Sequence, residues 1–275
     1  MPLLCFASPK GGVGKTTLAA NVAATLAAAG ARVIALDLDP QNALRLHFGV
    51  RLGDPQGWAP ALLADAGRAL NWRAALRRTQ SGVLLLAHGS LDSGAALALA
   101  MALARRADIL AEPVREMLAD PGLVVIVDSP PGPSQALAAL LPLADRVVTV
   151  LLADATSVSL IPAVRDGAAY GADLPPAAVG FVLNQVDLRT RLGPSVMEAA
   201  RRHLGARLLG QVYRDENVAE AVAAQRFVAD YAPASRAAVD IALLARTLAG
   251  GLCEGAAPAA PVPRPAAGLA WGVPA

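Results

Sequence analysis

The segment Leu123-Val124-Val125-Ile126-Val127-Asp128 constrains the fold more than any other, because its apolar run is unbroken until the acid that ends it. A strand with one face in water alternates polar and apolar residues, whereas a strand covered on both faces reads as a continuous apolar run. The stretches Leu3–Ala7, Arg32–Leu38, Val83–Ala87, Arg146–Leu152, Val179–Asn184 and Arg207–Tyr213 share this character. Between them lie patterns of helical period near Thr16–Ala29, Ala59–Ala64, Asn71–Arg77, Gly94–Leu118, Ser134–Leu141, Ser157–Tyr170, Pro194–His203, Glu216–Ala224 and Ser235–Leu248. Strands alternating with helices predict βαβ units. The expected architecture is therefore α/β, a mostly parallel twisted sheet of about seven or eight strands with helices on both faces. No internal repeat or turn-rich linker divides residues 1–249, which read as one domain. Residues 250–275 are mostly Ala, Pro and Gly with only Glu254 and Arg264 charged, a composition expected to form a flexible tail.

Composition narrows the function classes. Hydrophobic residues make up 55% of the 275 and charged residues 17%, which excludes disorder along the whole length. The net charge of +2 does not mark an electrostatically obvious nucleic-acid binder. The most apolar stretches, Leu18–Ala31 and Ala95–Ala104, fall short of the ~18 residues a spanning helix needs. Met1 to Ser8 has no basic leader region, so a cytoplasmic chain is expected. Cys5 and Cys253 allow neither a disulfide framework nor a metal-spaced cluster, and His47, His88 and His203 share no ligand spacing.

Pro9-Lys10-Gly11-Gly12-Val13-Gly14-Lys15-Thr16 follows the first strand and opens the first helix. It matches the phosphate-binding pattern G-x-x-x-x-G-K-[ST] except that Pro9 replaces the first Gly. Glycines let backbone N–H groups curl around phosphate oxygens, and the helix N-terminus adds the positive end of its dipole. Lys15 would reach the β- and γ-phosphates and the Thr16 hydroxyl would ligate Mg²⁺, with Gly11 through Thr17 forming the cradle. Lys10 and Lys15 are the only lysines in the chain, every other basic side chain being arginine or histidine. The bland alternative is a Gly-rich strand-to-helix turn.

Lys10, two residues before Gly12, is the signature of the deviant Walker A family of ParA/MinD-type ATPases, which this chain resembles. The resemblance implies a MinD-like P-loop fold, binding of ATP and Mg²⁺, and a homodimer closed over sandwiched ATP. Within that dimer Lys10 would reach the partner's phosphates. Asp37-Leu38-Asp39-Pro40-Gln41-Asn42 is similar to the family's switch I, in which Asp39 would position the attacking water and Asp37 would sit near the metal. This chain carries Asn42 where the family often has Gly. Asp128, ending its buried strand, corresponds to the Walker B acid that holds Mg²⁺ through water, and Ser129-Pro130-Pro131-Gly132 looks like switch II. Asn184 either lies beside the adenine or caps its strand. Tyr213, Arg214 and Asp215 either line the base site or start a helix with Asp215 as N-cap.

Segments Asn42–Gly49, Gln56–Leu62, Asn71–Arg73, Tyr213–Ala221 and Tyr231–Ala238 resemble the cellulose-biosynthesis subfamily BcsQ (YhjQ) more than ParA or MinD. That likeness implies an ATP-binding dimer at the cytoplasmic face of a bacterial cellulose-secretion complex. Its implied partners are small accessory cellulose-synthesis proteins and the inner-membrane synthase complex. A ParA-type partitioning ATPase acting on DNA and a nucleotide-locked scaffold stand as alternatives. The tail lacks the basic amphipathic helix of a MinD-like membrane cycle, and cysteines for an Fe–S cluster are absent. Trp58 and Trp72 read as core packing before interface anchors, and Arg77-Arg78, Arg105-Arg106 and Arg201-Arg202 as solvated helix faces.

Overall fold

The computed structural model describes residues 2–51, 53–64, 70–165, 167–172 and 174–253. Eight strands form one sheet: β1 (Leu3–Ala7), β2 (Arg32–Asp37), β3 (Arg77–Arg78), β4 (Leu84–Leu86), β5 (Leu123–Asp128), β6 (Arg146–Leu152), β7 (Val179–Val186) and β8 (Leu208–Tyr213). Their order is β3-β4-β2-β5-β1-β6-β7-β8, parallel throughout except for the β3–β4 pair. The chain leaves β1 toward β2 on one side and later crosses from β5 to β6 on the other. Ligands of open α/β sheets bind beyond the carboxyl ends of the strands at such a switch point.

The core divides by strand alternation. Leu3, Cys5, Ala7, Ile34, Leu36, Val125 and Val127 face one helical layer, and Leu4, Phe6, Val33, Ala35 and Ile126 face the other. The helix Lys15–Ala28, α1, packs on the second face through Leu18, Ala19, Ala20, Val22 and Ala23, all essentially fully buried. Asn21, the polar intruder in that run, is satisfied in place. Its Nδ2 donates to the Thr17 carbonyl at 2.8 Å and its Oδ1 accepts from Val228 N at 2.8 Å. Among the described residues no helix is long and apolar enough to cross a membrane.

Several elements depart from the sequence expectation. The helix expected over Gly94–Leu118 is two, Ser93–Arg105 and Asp108–Leu118, parted where Arg106 leaves helical geometry. A straight helix of the expected length would run ~37 Å, too long to keep Leu99 and Leu103 as well as Ile109, Leu110 and Val114 buried. The expected helix Asn71–Arg77 stops at Ala75, and Arg77–Arg78 instead form the antiparallel edge strand β3, returned by a turn with Gly82 at φ 82°. The pattern Ser157–Tyr170 breaks into Ala155–Ser159, Ile161–Arg165 and the short turn Ala168–Tyr170, because Pro162 cannot continue the first piece and Gly167 is left-handed. Short helices at Leu44–His47 and Val228–Tyr231 had no sequence signal. The last helix runs Arg236–Cys253, past the expected boundary at 249. Residues 254–275, the rest of the expected tail, lie outside the described residues.

Trp58 and Trp72 are both core. Trp72 donates to Glu116 Oε2 at 2.9 Å, and Trp58, fully buried, donates its Nε1 to the Asp37 carbonyl at 2.7 Å while its ring meets His88 edge-on at 5.3 Å. The approach to Trp58 needs Gly57, where a Cβ would fall 2.3 Å from Gly89 N. Replacing Trp58 by Phe should lower stability by about 2 kcal/mol, through the orphaned carbonyl and the vacated volume. A shift of the urea midpoint at constant m-value checks this.

Candidate nucleotide-binding site

The loop Ser8–Gly14 leaves β1 at the carboxyl edge of the sheet. Gly12 and Gly14 sit at φ 74° and 84°, a backbone that L side chains rarely adopt. No side chain caps α1 and no acid lies in its first turn. The amides opening α1 are therefore left for an external acceptor, with the helix dipole behind them. Two distant segments brace the loop. Gly132 N, from the loop after β5, donates to the Ser8 carbonyl at 2.8 Å. Asn184, buried in β7, donates its Nδ2 to the Val13 carbonyl at 2.7 Å, so close that a Cβ on Gly14 would lie 2.3 Å from that nitrogen. Gly11 is open apart from Pro131, 3.9 Å from where its Cβ would stand.

The carboxylates gather under this loop. Lys15 Nζ, buried, meets Asp128 Oδ1 at 2.5 Å, while Asp128 Oδ2 is buried with no hydrogen-bond partner. Burial pushes the Asp128 carboxyl up, opposed by the Lys15 ammonium and then the Thr16 hydroxyl. Asp37 is its direct neighbour across the β2–β5 ladder. Burial first, and Asp128 second, raise the Asp37 carboxyl well above the ordinary carboxylate range. Its oxygens accept from Asp39 N at 2.9 Å and Leu44 N at 3.1 Å, so this side chain also shapes the loop that follows β2. Asp39 is half-buried on the loop and accepts from Gln41 N at 2.9 Å.

An Mg²⁺ ion fits this donor set. The unbonded Asp128 Oδ2 and the Thr16 hydroxyl are hard oxygen donors, and Mg²⁺ takes one or two such ligands and completes its shell with phosphate and water. Among the described residues no group of three His, Cys, Asp or Glu side chains is placed to hold a metal ion by itself.

Asn42 takes φ 52°, the left-handed turn that glycine makes cheaply and asparagine tolerates, and its buried carboxamide makes no hydrogen bond. Lys10 stands apart from Lys15. Its Nζ lies 3.5 Å from Ser157 Oγ and 3.9 Å from Asp154 Oδ2, both beyond the end of β6. Sequence reasoning missed those two residues. The rule that strand ends share one edge in a parallel sheet, applied to β6, points to them.

Beside the loop opens a cavity of about 430 Å³ whose wall includes Gly14, Thr17, Asn184, Gln185, Tyr213 and Arg214. Asp215 also lines it, yet both its oxygens are engaged, by Asn217 N and Nδ2 and by Ala237 N, so it caps two helices. Tyr213 N donates to Asp240 Oδ2 at 3.0 Å, and the Arg236 guanidinium stacks on the Tyr213 ring. The expected residues from the loop, β7 and the end of β8 thus share one cavity.

The family described as "Cellulose biosynthesis protein BcsQ" matches residues 1–248. The chain belongs to that family. The chromosome-partitioning ATPase Soj of Thermus thermophilus is 32% identical over 84% of this chain and 89% of its own length. The cellulose biosynthesis protein BcsQ of Escherichia coli is 28% identical over 89% of this chain and 93% of its own. The septum site-determining protein MinD of Pyrococcus horikoshii, solved with Mg-ADP, superposes with a TM-score of 0.71 at 23% identity, covering 93% of this chain and 98% of its own. The family is thus one of ParA/MinD-type P-loop ATPases, and the fold is theirs.

Burial pushes the His47 imidazole, in the short helix after the Asp37–Asn42 loop, down to about 4. Between that value and its ordinary 6.5, the unfolded chain binds the proton and the folded chain does not, so stability falls as pH drops through this window. The slope contributed is about 1.4 kcal/mol per pH unit at most. His47→Asn should remove that slope in urea titrations between pH 7 and 5.

Proposed function

We propose that this protein binds ATP with Mg²⁺, closes as a homodimer over it and hydrolyses it slowly. By doing so it would support assembly, localisation or regulation of a bacterial cellulose synthesis and secretion complex. The observation that carries the reading is the uncapped start of α1, with Lys15 and Asp128 buried beneath it, in a chain that matches the BcsQ family over residues 1–248. The amides of Gly11 to Thr17 would receive the phosphates. Lys15 would exchange Asp128 for the β- and γ-phosphate oxygens. Thr16 would hold Mg²⁺ directly and Asp128 would hold it through water, with Asp37 fixing the loop beside them. When bound, Mg²⁺ neutralises charge developing on the phosphate oxygens. Asp39 would orient the water whose oxygen bonds to the γ-phosphorus while the bond to the β–γ bridging oxygen breaks, leaving ADP and phosphate.

Lys10 would act in trans. Its contacts with Ser157 and Asp154 are long and half-exposed, the kind that contribute little to stability and exchange readily for a phosphate. Asn184, Tyr213 and Arg214 would border the adenine. The partners that fit are small accessory cellulose-synthesis proteins and the inner-membrane synthase complex, met at its cytoplasmic face. Support for that role is the family's description and the E. coli relative.

A partitioning role on DNA is favoured by one observation, the 32% identity to Soj. Against it, Arg189, exposed in the loop after β7, and Arg202, exposed on the helix Gly193–Leu204, are each paired with an acid. Strong DNA binding that weakens steeply with added salt would favour it.

Lys15→Ala should abolish nucleotide binding, whereas Lys10→Ala should bind ATP normally but fail to dimerise. Sedimentation of both variants with and without ATP checks this, and identical behaviour rejects the role in trans. Asp39→Ala should hold the ATP-bound dimer together, so an unchanged dimer lifetime counts against its role.

A further inference from the structure

β7 loses register with β8 between Leu183 and Val186, and within that irregularity Gln185 takes φ 54°. A long side chain in this left-handed region carries a backbone cost, and such residues cluster at ligand sites. Bulges have the same bias, because they re-aim one side chain beside an active site. Every other residue of β7 is buried, whereas Gln185 is exposed and lines the cavity next to the phosphate loop.

Several neighbouring polar groups are committed elsewhere. Asn184 Nδ2 bonds the Val13 carbonyl, both Asp215 oxygens cap helices, and the Tyr213 hydroxyl accepts from Gln211 Nε2 at 3.3 Å. No hydrogen bond engages the Gln185 carboxamide among the described residues. It offers one acceptor and one donor side by side. Adenine presents the complementary pair on its N6/N7 edge, a donor beside an acceptor. Guanine presents two acceptors there, so neither rotamer of the amide can satisfy both.

We propose that Gln185 is the residue that reads the nucleotide base, its Oε1 accepting from adenine N6 and its Nε2 donating to N7. The assignment rests on the reading of this cavity as the base pocket of an ATP site. It explains why β7 keeps a glutamine where glycine would be unstrained. Rejection of guanine then follows from the unpaired polar groups that a mismatched base leaves behind.

Titration calorimetry with ATP, 7-deaza-ATP and GTP, each with Mg²⁺, tests this on the full chain and on Gln185→Ala and Gln185→Gly. The native protein should bind ATP roughly tenfold more tightly than 7-deaza-ATP, which lacks only the N7 acceptor. Both variants should bind these two nucleotides equally and lose most of the preference for ATP over GTP. Gln185→Gly should also melt about 2 °C higher, because glycine relieves the φ strain. A merely structural glutamine would not lower discrimination while raising stability. Equal binding of ATP and 7-deaza-ATP by the native protein overturns the assignment, as does a Gln185→Gly variant that retains the native preference. If the native protein binds none of the three nucleotides, the ATP reading fails and takes this assignment with it. Tight ATP binding without discrimination rejects Gln185 alone.

Discussion

The ion pair between Lys15 and Asp128 is buried, and the arrangement of the site follows from it. Taking two charges out of water costs several kcal/mol per ion, and a well-packed apolar pair commonly serves stability as well. Its presence here is therefore an argument about binding. The pair exists because β1 and β5 are neighbours, with Phe6 opposite Asp128, so the helix that follows β1 begins directly over the end of β5. On the other side β2 places Asp37 beside the same acid. Three strand ends and one helix start thus concentrate charge at a single point of the carboxyl edge.

Around that point the structure is held from outside the loop. Asn184 ties Val13 from a strand more than 150 residues away, Gly132 ties Ser8, and Trp58 anchors the carbonyl of Asp37. The loop proposed to receive phosphate is therefore braced in one shape, which lowers the ordering cost at the moment of binding. Lys10 is the contrast. It is half-exposed and loosely held, which suits a side chain proposed to leave its own subunit's surface.

Much of this was legible from local pattern. The unbroken apolar run before Asp128 announced a doubly covered strand, and the loop from Pro9 to Thr17 announced its own geometry, since only glycine is at ease at the φ values found at positions 12 and 14. Asn42 was visible as a departure from the family, and its positive φ explains how asparagine serves there. The misreadings share a cause. The pattern from Gly94 to Leu118 keeps a helical period, and nothing in that period marks the break at Arg106. Arg77-Arg78 carries no strand signal of its own and pairs because β4 offers an open edge.

The sequence by itself determined the βαβ order, the glycine-rich loop, the acid-ended strands and the family, because each is carried by short runs of consecutive residues governed by local backbone and side-chain preferences. Tertiary structure decided the rest. It assigned Asn184 to the loop carbonyl, Asp37 to loop amides, Asp215 to two helix starts and Gln185 to the cavity wall. Those assignments depend on which strand ends lie side by side, and strand order is set by packing both faces of the sheet, which no local stretch of residues encodes.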